Sequence, residues 1–265
     1  SSIRKLMLAN NRLTSFTGDS NPSKNLASLE LVRLANNDLQ SLPDDVLRAP
    51  RLAWVALAGN PRLVGFGSLG SALETTMAQI DFSDAVALGK GASGSVRSAS
   101  FKGTPCAVKE LLETSSDGAA SDELAVHARV AGATPSTLIK TLAIVRKPPA
   151  VVMERLTRNA RDLAKPPTII EVTRDRYEDG ERYAPAFAVT LVKGLAEALR
   201  YLHSKRVAHG DVYGHNTLVL DSTGAAKLGD FGASFYYGEL APSAQKLIER
   251  VEVRAFGVLC AEIAT

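Results

Sequence analysis

The chain has 265 residues, 45% of them hydrophobic and 22% charged, with 31 Lys and Arg against 28 Asp and Glu. This balance excludes collagen-like and wholly disordered chains, and interspersed charges with a net of +3 give no reason to expect a nucleic-acid partner. Two cysteines, Cys106 and Cys260, exclude a disulfide framework and predict a reducing compartment, the cytoplasm. No apolar run reaches the ~18 residues of a membrane span. The chain opens without Met and stops inside an apolar helical pattern at Ile263-Ala264-Thr265, so a fragment is expected.

Self-similarity dominates the first quarter. Ile3, Leu6, Leu8, Asn11 and Leu13 fit the pattern L-x-x-L-x-L-x-x-N-x-L. Leu29, Val32, Leu34, Asn37 and Leu39 repeat it; Leu52, Val55, Leu57 and Asn60 do so again, with Arg62 breaking the last slot. The asparagines fall 26 and 23 residues apart, inside a repeat period of about 20–29 residues. Each L-x-L is expected to be a short strand feeding one apolar column, and each Asn amide to bond the backbone of neighbouring coils. Leu42-Pro43 with Val46 and Leu47 supplies a returning arm. Residues 1–65 resemble leucine-rich repeats of about three coils, which would bind a protein partner or brace the rest of the chain. Residues 66–80, with Gly67 and Gly70 and a helix-like stretch from Ser71 to Ile80, read as a linker. The repeats and the rest are expected to be separable, a chain starting near Thr76 folding alone.

From Asp81 the pattern changes to strands. Gly89-Lys90-Gly91-Ala92-Ser93-Gly94-Ser95-Val96 is G-x-G-x-x-G-x-V, in which glycines let backbone N–H groups approach phosphate oxygens. A second strand, not a helix, comes next over Val96–Phe101, and Ala107-Val108-Lys109 lies on a third. Glu123 opens a helical pattern and can pair with Lys109; Glu110 and Glu113 are nearer rivals. Ala150–Glu154 is an apolar strand, and Ala186–His203 an amphipathic helix with Leu191, Leu195, Leu199 and Leu202 at helical spacing. Then come His209-Gly210-Asp211 with Asn216, and Asp230-Phe231-Gly232.

These ordered motifs resemble the protein kinase family from about Asp81 to the chain end. The expected fold is α+β: a short leucine-rich-repeat solenoid, then a two-lobed kinase-like domain with N-lobe 81–155 and a compact C-lobe 156–265 that ends early. The resemblance implies ATP and Mg²⁺. Gly89, Lys90, Gly91 and Gly94 would cover the phosphates, and Val96, Ala107 and Leu218 would sandwich the adenine. Lys109, oriented by Glu123, would hold the α/β-phosphates. Met153 would be the gatekeeper, with backbone groups of Glu154 and Leu156 on the adenine edge. Asp211 would accept the proton of the substrate hydroxyl, and Asn216 and Asp230 would bind the two metal ions.

Several positions depart from the family pattern. Gly210 stands for the Arg of H-R-D, and Tyr213 for the Lys two residues past the catalytic Asp. His215 replaces the Arg that tyrosine kinases favour. The segment from Asp230 to Glu252 is short and lacks A-P-E, so control by phosphorylation of Ser234, Tyr236, Tyr237 or Ser243 is not expected. The repeats, H-G-D-x-Y-x-H-N, the insert Thr173–Tyr177 and Glu252-Val253-Arg254-Ala255-Phe256-Gly257 together resemble the leucine-rich-repeat-containing protein kinase family. Three functions compete: a protein kinase acting on Ser/Thr of a protein substrate, an aminoglycoside- or choline-kinase-like small-molecule phosphotransferase, and a nucleotide-binding pseudokinase scaffold.

Overall fold

The computed structural model describes residues 3–16, 26–60, 73–156, 160–178, 180, 182–220 and 223–264. Arg62, the glycines of the 63–70 stretch and the first part of the 66–80 linker lie outside the described residues.

The three L-x-L segments form β1 (Lys5–Met7), β2 (Leu31–Arg33) and β3 (Trp54–Ala56), paired in parallel with Leu6, Val32 and Val55 in register. The asparagines close the coils. Asn37 Nδ2 donates to the carbonyls of Leu8 and Leu34, while its Oδ1 accepts the N–H of Leu13 at 3.1 Å. Asn60 repeats this toward Leu34, Leu57 and Leu39. The returning arm of the second coil is a single helical turn, α1 (Asp44–Leu47), which buries Val46 and Leu47.

A seven-stranded sheet comes next. It contains β4 (Glu74–Thr75), β5 (Ile80–Asp81), β6 (Ala87–Gly91), β7 (Gly94–Phe101), β8 (Thr104–Leu111), β9 (Thr141–Val145) and β10 (Ala150–Glu154). The order is β4-β9-β10-β8-β7-β5, with β6 also on β7. The stretch read as helix-like thus holds one 3₁₀ turn, Met77–Gln79, between two strands of this sheet. Ten residues with neither a strong 3.6-residue nor a two-residue period left the choice to tertiary pairing. Helix α2 (Ala120–Val130) packs on β9 and β10.

The remainder is mainly helical: β11 (Ala160–Asp162), α3 (Pro185–Ser204), β12 (Val207–Ala208), β13 (Thr217–Leu220), β14 (Ala225–Leu228), β15 (Phe235–Tyr236) and α4 (Pro242–Ala264). Leu191, Leu195, Ala198, Leu199 and Leu202 form the buried stripe of α3, as the spacing predicts. Among the described residues no helix is long and apolar enough to cross a membrane.

The N-terminal coils share their core with this half. Leu31, Ala53 and Trp54 are buried in one cluster with Leu195, Leu199 and Leu202 of α3. Val32, Leu34, Leu39 and Leu57 are buried in another with Phe235, Tyr237, Leu247, Ile248 and Val251. Arg254 Nη1 donates to the carbonyl of Leu52. Glu30 draws Arg4, Thr173 and Arg174 around one carboxylate. The strand face that the sequence leaves available for a partner is therefore covered by the chain itself. Separability is not what this packing implies, because neither half owns the apolar surface between them.

Two carboxyl groups in this frame set a pH dependence. Burial pushes Asp122 of α2 up to about 6, against backbone N–H donors that favour its anion. Burial, helped by nearby Asp175, pushes Glu262 of α4 up to about 7. A raised carboxyl pKa favours the protonated form in the fold. Stability is then lost as pH rises from the ordinary carboxylate range, about 4, through these values. The melting temperature is expected to fall by several degrees between pH 5 and pH 8, and Asp122→Asn with Glu262→Gln to flatten that slope. A parent whose melting temperature rises over the same interval contradicts this.

Candidate active site

The sheet and the helical half meet in a cleft of about 460 Å³. Gly89, Gly91 and Gly94 from the β6–β7 hairpin, Val96 and Ala107 line it from above. Met153, Glu154, Leu156 and Leu218 line it from the hinge side and below, and Lys109, Asn216 and Asp230 close its inner end. Lys90 is exposed on the hairpin rim. A Cβ built on Gly89 or Gly91 would meet nothing within 4 Å, so bare backbone faces open space there. Gly94 is a glycine for another reason: a Cβ would lie 2.1 Å from the carbonyl oxygen of Glu110 on β8.

Lys109 is buried on β8, with its Nζ 2.7 Å from Oε1 of Glu123 and 2.8 Å from Oδ1 of Asp230. Of the three candidate partners, Glu123 is the one met, because α2 lies across the sheet and points its first turn at β8. Glu110 instead takes Arg97. Burial opposes the ammonium, but the two carboxylates outweigh it and raise its pKa. Burial likewise opposes the Asp230 anion, and Lys109 holds the carboxyl down to about 2.

Asp211 lies outside the cleft lining. Its Oδ2 accepts the Nδ2 N–H of Asn216 at 2.9 Å, and its backbone carbonyl accepts from the same amide at 2.9 Å. Both amide hydrogens being used, Asn216 has its oxygen left to offer. His209 is fully buried, with Nε2 2.8 Å from the carbonyl of Gly229 and Nδ1 accepting the Asp211 N–H at 3.3 Å. The Gly210 N–H donates to Oε1 of Glu252 on α4 at 2.8 Å. The Glu154 N–H is spent on the carbonyl of Lys140, so only its carbonyl is left for a base edge.

A protein kinase domain model matches residues 82–249. The chain belongs to the protein kinase family. It is similar to the serine/threonine-protein kinase VIK of Arabidopsis thaliana, 28% identical over 171 residues, which cover 61% of this chain and 36% of that protein. It is also similar to mitogen-activated protein kinase kinase kinase 13-A of Xenopus laevis, 26% identical over 200 residues, 67% of this chain and 18% of that protein. Aurora kinase A-B of the same organism is 37% identical over 90 residues, 27% of this chain and 21% of the relative. The chain thus spans 36%, 18% and 21% of the length of these three relatives.

The chain's departures from the family pattern have reasons in the packing around each position. Gly210 sits at φ +77, and a Cβ there would meet the Ala233 carbonyl oxygen at 2.5 Å and that of Val55 at 3.0 Å. The Ala233 backbone and, from the N-terminal coils, the Val55 carbonyl together occupy the space a side chain would need. Gly210→Ala is expected to cost at least ~2 kcal/mol, from αL strain and the clash together, lowering the melting temperature by about 4–8 °C. Gly210→Arg should not fold, and an unchanged melting curve for either variant would show that the Ala233 and Val55 backbones can move aside. Tyr213 stacks on Trp54 of β3, centroids 4.4 Å apart and rings 4° from parallel, while Trp54 Nε1 donates to the Val212 carbonyl at 3.0 Å. His215 turns to Asp175, 2.7 Å away. Ser234 and Tyr237 are fully buried, and Tyr236 lies under the Arg129 guanidinium.

Sequence reading missed two charged residues at this site. Arg33 of β2 places Nη2 2.5 Å from Oδ1 of Asp211 and Nε 3.2 Å from Oδ1 of Asp117. No local signal marks either one, since the partners stand 178 and 84 positions away from Arg33 in the chain.

Proposed function

We propose that the chain is an ATP-dependent protein kinase transferring the γ-phosphoryl group to a Ser/Thr hydroxyl. The observation that carries this is the Lys109–Glu123–Asp230 cluster at one end of a cleft edged by Gly89 and Gly91 and walled in part by Val96, Ala107, Met153 and Leu218. The cleft suits a nucleotide. Val96, Ala107 and Leu218 offer flat apolar contact to a base, and the bare backbone of Gly89 and Gly91 admits phosphate oxygens. Among the described residues no three His, Cys, Asp or Glu gather as a metal cage. Magnesium commonly binds through one or two carboxylates plus substrate phosphates, keeping several waters. Asn216 and Asp230 fit that partial donor set, and the ion, when bound, neutralises phosphate charge.

In this reading Lys109 orients the phosphates, itself held by Glu123. The acceptor oxygen bonds to phosphorus as the bond to the nucleotide's leaving oxygen breaks, and the acceptor proton passes to Asp211. Ser/Thr preference rests on the name of the Arabidopsis relative. Residues 1–65 are leucine-rich repeats in this proposal, supported by the asparagine ladder and the parallel strands, and they brace the catalytic domain over 81–265 rather than await a partner. Cytoplasmic residence is supported by two unpaired thiols.

A second reading, a small-molecule phosphotransferase, is favoured by one observation. Both chain neighbours of Asp211 are met from the N-terminal coils, Gly210 by the Val55 carbonyl and Val212 by the Trp54 indole, which narrows the platform for a peptide. Labelled ATP offered with a peptide library and with a panel of amino-sugars and choline-like alcohols decides. Labelled peptide supports the proposal, labelled small molecule the second reading, and no label a scaffold that only holds nucleotide.

A further inference from the structure

We propose that Arg33, contributed by the N-terminal coils, is a positioning residue of the active site, holding the Asp211 carboxylate from the side opposite Asn216. The inference rests on the proposed kinase activity. Arg33 ends β2, and at its register the flanking strands carry Met7 and Ala56, so the middle coil alone places a charge there. Its side chain is 7% exposed, and the guanidinium bridges two carboxylates, Asp117 and Asp211. With Nη2 on Oδ1 and Asn216 Nδ2 on Oδ2, each oxygen of Asp211 has one fixed donor, and the plane of the carboxylate is set. Each oxygen keeps a further lone pair with which to take an acceptor's proton.

Other cations near Asp211 are committed elsewhere. Lys109 is shared by Glu123 and Asp230, and the His215 ring faces Asp175. From residue 211 to residue 216 the loop carries no Lys or Arg. Arg33 therefore supplies the positive charge at this carboxylate from outside the catalytic domain.

A purely structural role fits the geometry poorly. Nη1 of Arg33 is buried without a hydrogen-bond partner. A buried guanidinium with an orphaned donor is costly, and replacing buried ion pairs by apolar side chains of similar volume is often neutral or stabilising. The two halves already hold through the Trp54–Tyr213 stack, the Trp54 Nε1 bond to Val212 and two shared apolar clusters. Docking alone gives no reason for Arg at this position.

The test uses the full chain with Arg33→Met, Arg33→Lys and Arg33→Gln. Turnover, KM for ATP and the melting curve are measured on each against the acceptor that the parent labels. Misplacing a catalytic group by about 1 Å can cost ~10²-fold, so Arg33→Met is expected to lower kcat by ~10–100-fold. Its KM for ATP should stay within about twofold, while its melting temperature is expected to drop, because the largely buried Asp211 and Asp117 carboxylates lose their shared partner. Arg33→Lys, which keeps the charge but not the bridge, is expected to recover part of the loss. If Arg33→Met melts early, Arg33→Gln keeps one donor to Asp211 without the charge and must still lose kcat. Unchanged kcat in a folded Arg33→Met or Arg33→Gln overturns the assignment. A rise in kcat overturns it too, because Arg33 would then be masking Asp211. A parent that transfers no phosphate to any acceptor sinks the kinase reading and this inference with it, whereas an active parent with an equally active variant sinks this inference alone.

Discussion

Lys109→Met is expected to reduce phosphoryl transfer by at least ~10²-fold, and Asp211→Ala by a similar factor, for different reasons. Lys109 is a preorganised charge at the closed end of the cleft, and removing one such donor commonly costs ~10²–10³ in kcat. In the proposed reaction Asp211 takes the acceptor proton, a contribution of about 10²–10⁴. Nucleotide affinity should fall in the first variant and survive in the second, which lies outside the cleft lining. The Lys109 variant carries a second effect. Glu123 is 3% exposed, and without the ammonium its carboxylate is left buried with His127 Nε2 as a distant partner at 3.8 Å. Breaking a buried pair from one side costs about 3–5 kcal/mol, so Lys109→Met should also melt early. Lys109→Met with Glu123→Gln separates the two effects. The pair should regain stability and stay inactive, and recovery of turnover in it would remove Lys109 from the chemistry.

Local pattern carried a good deal of this site into view. Asn11, Asn37 and Asn60 recur because each closes a coil through its own amide, a requirement confined to a few neighbouring residues. Gly94 and Ala107 are set by strand-to-strand distances within one hairpin, and Asp211 and Asn216 by one turn of chain. Such features repeat wherever the local geometry does. What escaped has its cause far along the chain. Gly210 reads as a lost Arg until Val55, 155 positions earlier, is found against it. Tyr213 reads as a lost Lys until Trp54 is found stacked on it. Arg33 carries no signal in the sequence, since an L-x-L pattern says which side chains face the column and nothing about what covers the opposite face. Glu74–Thr75 escaped because a two-residue strand has no period to read.

Removing residues 1–72 is expected to abolish folding of the remainder, against what the change of pattern at Asp81 implies. The deletion uncovers Phe235, Tyr237, Leu247, Ile248 and Val251, each of which is packed in the N-terminal cluster. At roughly 1.5–3 kcal/mol for each large side chain returned to water, the five together forfeit about 7–15 kcal/mol if fully exposed. The whole net stability of an ordinary domain is about 5–15 kcal/mol. Even half that loss leaves a marginal fold, before the loss of Leu31 and Trp54 from the cluster around α3 is counted. The effect should be local first: the loop around Gly210 and Asp211 loses the Val55 backbone, the Trp54 stack and the Arg33 bridge together. Residues 73–265 made alone should be insoluble or lack a cooperative melt, and co-expression with residues 1–72 should restore both solubility and melting. A truncated chain that is soluble, monomeric and melts within a few degrees of the parent would show that the apolar faces reclose on themselves, and that the coils are an attachment and not half of the core.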